Sequence, residues 1–138
     1  MKKKLLSVLL VIFVLAFGTN AEVYAAEDSL MYEGISRITS TMGIDDCILE
    51  YSVDVITRGS EYADAVHIDA ELRTIDGRLI KSYNEDLTEE YDTLFCFEKR
   101  RAVSESGTYF LHFTVSCYKD GVRIDKITKD SKTVTYTR

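Results

Sequence analysis

The sequence has no proline and no tryptophan, and it holds only two histidines and three cysteines in 138 residues. Each scarcity closes something off. Without proline there is no proline-containing wall-sorting signal. Three cysteines permit at most one internal disulfide and leave one thiol over. A zinc site needs three or four ligands at tight geometry, and the sequence shows no such set around its two histidines. No Gly-x-Ser-x-Gly elbow and no phosphate-cradling glycine loop occurs. After the N-terminus there is no second apolar run of membrane-spanning length.

What the chain does have starts at once. Lys2, Lys3 and Lys4 precede a run from Leu5 to Phe17 that is apolar except for Ser7. A short polar patch follows and closes on Val23-Tyr24-Ala25-Ala26. A basic start, an apolar stretch too short to span a bilayer and small residues before Ala26 predict a secretory signal peptide, residues 1–25, of bacterial type. An uncleaved N-terminal anchor is the alternative. No cysteine follows the run until Cys47, which disfavours lipid anchoring. The expected product is secreted or loosely held at the envelope, with no membrane contact after cleavage. It comprises a short acidic lead over 26–31 and one domain over 32–138.

Losing three lysines and Glu22 takes the formal charge from −6 to −8. An acidic chain repels phosphate backbones, so nucleic acid is excluded as an expected partner. Lys99-Arg100-Arg101 is the one basic cluster, and it reads as a solvated turn.

Period-two alternation dominates the rest. Leu49, Tyr51, Val53 and Val55 alternate with Glu50, Ser52 and Asp54. Val66, Ile68, Ala70 and Leu72 do so with His67, Asp69 and Glu71, and Tyr109, Leu111, Phe113 and Val115 with Phe110, His112 and Thr114. Such windows predict half-buried strands. Weaker strands are expected at 34–42, 78–83, 93–98, 122–128 and 132–137. Asp76-Gly77 and Asp120-Gly121 read as two-residue hairpin turns with both residues at positive φ. The spacing predicts an all-β fold, an antiparallel β-sandwich of seven or eight strands. Leu87, Tyr91, Leu94 and Phe95 fall at helical spacing, which predicts one helical turn before a strand near Thr93. A strict hairpin register would aim Lys126 inward, so a β-bulge near Asp125–Lys126 is expected to bring Ile127 in instead.

Ser106-Gly107-Thr108-Tyr109-Phe110-Leu111 resembles the tyrosine-corner entry of immunoglobulin-like domains, in which a tyrosine hydroxyl bonds back to nearby backbone. The sequence departs from antibody-type domains at Leu111, where the second core cysteine would stand, and in having no core tryptophan. The layout also resembles small secreted proteins of Gram-positive bacteria that carry one β-rich domain of unknown function. The likeness rests on the lysine-led leader, Arg37-Ile38-Thr39-Ser40-Thr41, an Asp-Gly hairpin and a late Gly-x-Tyr strand. That family lends no activity. The immunoglobulin-like order implies a Cys47–Cys96 bridge with Cys117 left over; the alternative is three reduced, buried thiols. It also makes the strands of His67 and His112 neighbours, with both rings outward and close together.

His67, Asp69, Phe110 and His112 are therefore the candidate binding residues, as a weak metal site, a pH-sensitive binding face or simply two solvated histidines on a polar surface. The loops 58–62 and 76–78 are further candidates. Asp45-Asp46, Glu85-Asp86 and Glu89-Glu90 read as solubilising turns. No catalytic residue, metal ligand set or cofactor is expected. The reading is a non-catalytic module, monomeric or weakly oligomeric, binding an extracellular protein or glycan. Alternatives are an inhibitor or accessory subunit of an extracellular enzyme, and a structural subunit that assembles through edge strands such as 132–137.

Overall fold

Every second residue of the three strongest windows is buried. Leu49, Tyr51, Val53, Val55, Ile68, Ala70, Leu72, Tyr109, Leu111, Phe113 and Val115 are each at most 1% exposed. A backbone that hides alternate side chains needs a second sheet to cover them, and this chain supplies one. The computed structural model describes residues 32–138; the leader and the acidic lead lie outside the described residues. Nine strands follow one another: β1 (Ile35–Asp45), β2 (Ile48–Thr57), β3 (Ala65–Thr74), β4 (Leu79–Leu87), β5 (Glu89–Tyr91), β6 (Leu94–Ala102), β7 (Gly107–Lys119), β8 (Val122–Asp130) and β9 (Val134–Tyr136). No helix occurs among the described residues.

The first sheet runs β1-β2-β6-β5 and the second β4-β3-β7-β8, with β9 also pairing β7; every pairing is antiparallel. This is the strand arrangement of an immunoglobulin-like sandwich, with an added strand beside β3. Phe95, Phe97 and Ile38 fill the core from the first sheet, and Val66, Cys117 and Ile127 from the second. The expected tyrosine corner is present: the Tyr109 hydroxyl donates to the Glu105 carbonyl at 2.6 Å.

The two open sides of the sandwich are closed by polar groups. On one side Asp125, only 6% exposed, accepts the backbone N–H groups of Glu33, Gly34 and Ile35 at 3.1, 2.7 and 3.1 Å. The carboxylate thereby ties the start of β1 to β8 across the layers. On the other side Lys99 of β6 pairs with Glu85 of β4 at 2.7 Å and lies over the rings of Tyr83 and Phe97. The Tyr51 and Tyr83 hydroxyls meet at 2.5 Å beside it.

The bulge expected in β8 falls one residue earlier. Cys117 pairs with Asp125 and Tyr118 with Arg123, which leaves Ile124 as the extra residue. Its effect is the expected one: Ile127 lies opposite Val115 and is buried, while Lys126 faces out beside Ser116. It also turns Asp125 inward, where the β1 amides receive it.

The helical turn is absent. Leu87 ends β4 in the second sheet, opposite Val66, whereas Glu89 opens β5 in the first sheet and pairs with Phe95. The apolar residues at helical spacing thus serve two different sheets, and the chain crosses between the layers at Thr88. Of the two Asp-Gly turns, Asp120-Gly121 has positive φ at both residues. At Asp76-Gly77 only Gly77 does, because Thr74 extends the turn by bonding both Asp76 and the Arg78 amide through its hydroxyl.

The Cys47–Cys96 pairing is not formed; all three cysteines are free. Cys47 precedes β2, and Cys96 pairs with Asp54 near the other end of that strand. Six residues or more of extended chain separate them, roughly 20 Å, against the 4.4–6.8 Å between Cα atoms of a disulfide. Phe95 and Phe97 take the inner face, as alternation requires, and leave Cys96 on the outer one.

Candidate interaction face

The outer face of the second sheet follows from strand parity alone. Cross-strand pairing sets its residues in rows: Asp86, His67, Ser116 and Lys126; then Asn84, Asp69, Thr114 and Thr128; then Ser82, Glu71, His112 and Asp130. Arg73 and Phe110 lie opposite each other beyond the third row. All four predicted residues are on this one face.

The structure does not bring the two histidines together. His67 is opposite Ser116 and His112 opposite Glu71, four positions along the sheet, so their Cα atoms are about 14 Å apart. Each ring has its own carboxylate instead. His67 Nδ1 donates to Asp86 at 2.7 Å, with Asp69 3.8 Å from its other nitrogen. His112 Nδ1 donates to Asp130 at 2.6 Å. Among the described residues no three histidine, cysteine or acidic side chains gather as a metal-binding group.

The rest of the face is cross-linked in the same way. The Asn84 amide donates to Asp69, the Thr114 and Thr128 hydroxyls meet at 2.8 Å, and Arg73 donates to Glu71 at 2.6 Å. Bonds between neighbouring strands, and along β3 for Arg73 and Glu71, hold these side chains by their polar ends, so most of the face is ordered. Two shallow depressions flank His112. One, of about 380 Å³, is lined by Asp69, Glu71, Ser82, Asn84, His112 and Thr114. The other, of about 590 Å³, lies along β8 between Tyr32 and His112, over Lys126, Thr128 and Asp130. Asp69 and His112 thus share a depression, whereas His67 and Phe110 line neither.

Asn84 and Asp86 lie beyond the strand expected at 78–83, which stops four residues short of the observed end at Leu87. Their alternation with Tyr83, Glu85 and Leu87 was the available signal. It was weak because Glu85, charged, points inward to meet Lys99.

Of the candidate loops, 58–62 is internally tied. The Tyr62 and Ala63 amides donate to the Gly59 carbonyl at 3.0 Å, and Lys119 Nζ donates to the Ser60 carbonyl at 2.8 Å. Tyr62 projects from it, 52% exposed. At the other end Arg78 pairs with Glu105 at 2.7 Å, which links the 76–78 turn to the tyrosine corner.

Two of the three thiols, Cys96 and Cys117, are poor nucleophiles. Burial, reinforced by the Asp125 carboxylate, pushes Cys117 up to about 12. Partial burial and a hydrogen bond with Asp54 push Cys96 up to about 12 as well. Neither supplies thiolate at neutral pH.

No family model matches the chain, and no curated protein matches it. Among solved structures, a candidate β-galactosidase from Bacteroides fragilis aligns over 67% of this chain at 14% identity and a TM-score of 0.41. The alignment spans 15% of that protein's length, and a likeness at that level carries no argument about activity.

Proposed function

We propose that the protein is a secreted, non-catalytic interaction module that binds an extracellular protein or glycan through the outer face of its second sheet. The observation that carries this reading is the ordering of that face. His67, Asp69, Glu71, His112 and Thr114 are each held by a neighbouring side chain, so a polar partner is met by groups already fixed in place. Fixed side chains lose little entropy on association, which is one of the costs of a polar contact. The depressions beside His112 are open and shallow, suited to surface recognition. Two raised thiol pKa values, and histidines on an open face that are bonded to carboxylates, support the non-catalytic reading. The lysine-led N-terminus supports secretion.

The test is a comparison of immobilised wild-type protein with Asp69→Lys and His112→Glu on glycan arrays and against extracellular proteins. Binding that is lost in both variants, with unchanged melting temperature, is the expected result. Binding retained in both overturns the assignment of this face. A second reading, an inhibitor presenting a loop, is favoured by the internal bonds of 58–62 and its projecting Tyr62. There binding survives both face variants and is lost on Tyr62→Ala.

A further inference from the structure

Sheet edges carry unpaired backbone N–H and C=O groups and invite pairing with another chain, so proteins protect them with charges, bulges or shortness. Most edges here are protected. β5 and β9 have three residues each. β4 has a bulge and carries Lys81, Glu85 and Asp86. β8 has the Ile124 bulge, Lys126, Lys129 and the inward Asp125. β1 differs. It is 11 residues long, and its register with β2 runs unbroken from Arg37 to Asp45. Between those two charged residues lie Ile38-Thr39-Ser40-Thr41-Met42-Gly43-Ile44, none of them charged. Among the described residues no strand pairs with its other edge.

We propose that this edge pairs with β1 of a second copy of the chain. The segment is complementary to itself when reversed. A two-fold axis through Thr41 sets Arg37 opposite Asp45 of the second copy, Ile38 opposite Ile44, Thr39 opposite Gly43 and Ser40 opposite Met42. The same contacts repeat on the other side of the axis, as an isologous interface requires. Strand parity is respected: Arg37 and Asp45 both lie on the outer face, and Ile38 and Ile44 both on the core side. Within their own chain neither Arg37 nor Asp45 makes an ion pair among the described residues. Both therefore bring free charge to the contact, twice over.

The pairing joins the two first sheets into one of eight strands and leaves the outer face of the second sheet uncovered. It is independent of the binding reading above. One strand-to-strand contact buries far less than the roughly 1,600 Å² of a standard interface, so the dimer is weak and reversible.

Sedimentation velocity of the purified protein from micromolar to millimolar concentration tests this. The expected result is a monomer–dimer equilibrium. Arg37→Asp and Asp45→Arg, both at exposed positions, each weaken it by about tenfold or more, because two attractions become two repulsions. The double variant with the charges exchanged restores it. Amide exchange over residues 38–44 slows with concentration in the wild type and in the exchanged variant, and not in the single ones. A monomer throughout the range overturns the proposal. So does a dimer indifferent to both single variants, which places the contact elsewhere.

Discussion

Replacing Asp125 removes the link between β1 and the second sheet. Its Oδ2 accepts from Gly34 and Ile35, and its Oδ1 from Glu33. A hydrogen bond to a charged group contributes about 1.5–3 kcal/mol, and donors left buried without an acceptor add their desolvation cost. The Glu33 bond is partly exposed and counts for less. Asp125→Ala should therefore cost about 3–5 kcal/mol, a large share of the 5–15 kcal/mol by which domains are stable. At about 4–5 °C per kcal/mol for a domain of this size, the melting temperature falls by about 15–20 °C. Asp125→Asn separates charge from shape. Its one oxygen can keep the Gly34 and Ile35 bonds, while its amide meets the Glu33 N–H donor to donor, so the loss is about half as large. Urea denaturation of the three proteins measures both values. Faster amide exchange confined to residues 33–38 should accompany the loss. A loss below about 1 kcal/mol for the alanine variant would refute the reasoning.

Gly34→Ala is predicted to destabilise although Gly34 is not in the left-handed region. An added Cβ would stand 3.1 Å from Ala63 Cβ and 3.2 Å from Asp125 Oδ2, which must give by a few tenths of an ångström, while the flexible end of Ile124, 2.5 Å away, can turn aside; a modest fall in melting temperature is the expected result. Tyr109→Phe should cost about 1–2 kcal/mol by deleting the hydrogen bond to Glu105, with the fold unchanged by circular dichroism. Labelling with a thiol reagent at pH 8 should modify the half-exposed Cys47 first and leave Cys117 unmodified until the chain unfolds. The Cys117 thiol is held protonated by burial up to about 12, against a usual 9. The fold binds that proton more tightly than the unfolded chain does, so its contribution is complete below pH 9 and is lost as pH rises from 9 towards 12. Denaturation across that range checks the slope.

The sandwich was legible because three windows alternate without interruption, and an alternating strand has one stable place, half in a core. The tyrosine corner was legible because its residues are contiguous. What escaped was set by partners distant in sequence. Leu87 and Tyr91 look like one helical stripe until each is assigned its own sheet. The reading of Cys47 and Cys96 as a pair held their strands adjacent, which they are, but misjudged position along them. The histidines share a face, as parity required, yet pairing register sets them four positions apart. The Asp125 clamp and the Lys99–Glu85 seam break the alternation rule, because both place charge on the inner parity where two sheet edges meet. A single sequence shows such residues only as defects in a pattern.

We propose that recognition belongs to the outer face of the second sheet. Nuclear magnetic resonance of isotope-labelled protein, titrated with whatever glycan or protein the immobilised domain retains, tests it most directly. Amide shifts concentrated at Asp69, Glu71, Asn84, His112 and Thr114, with β2 and β6 silent, are the expected result. Shifts confined to the loop at 58–62, or spread over the outer face of the first sheet, would contradict it.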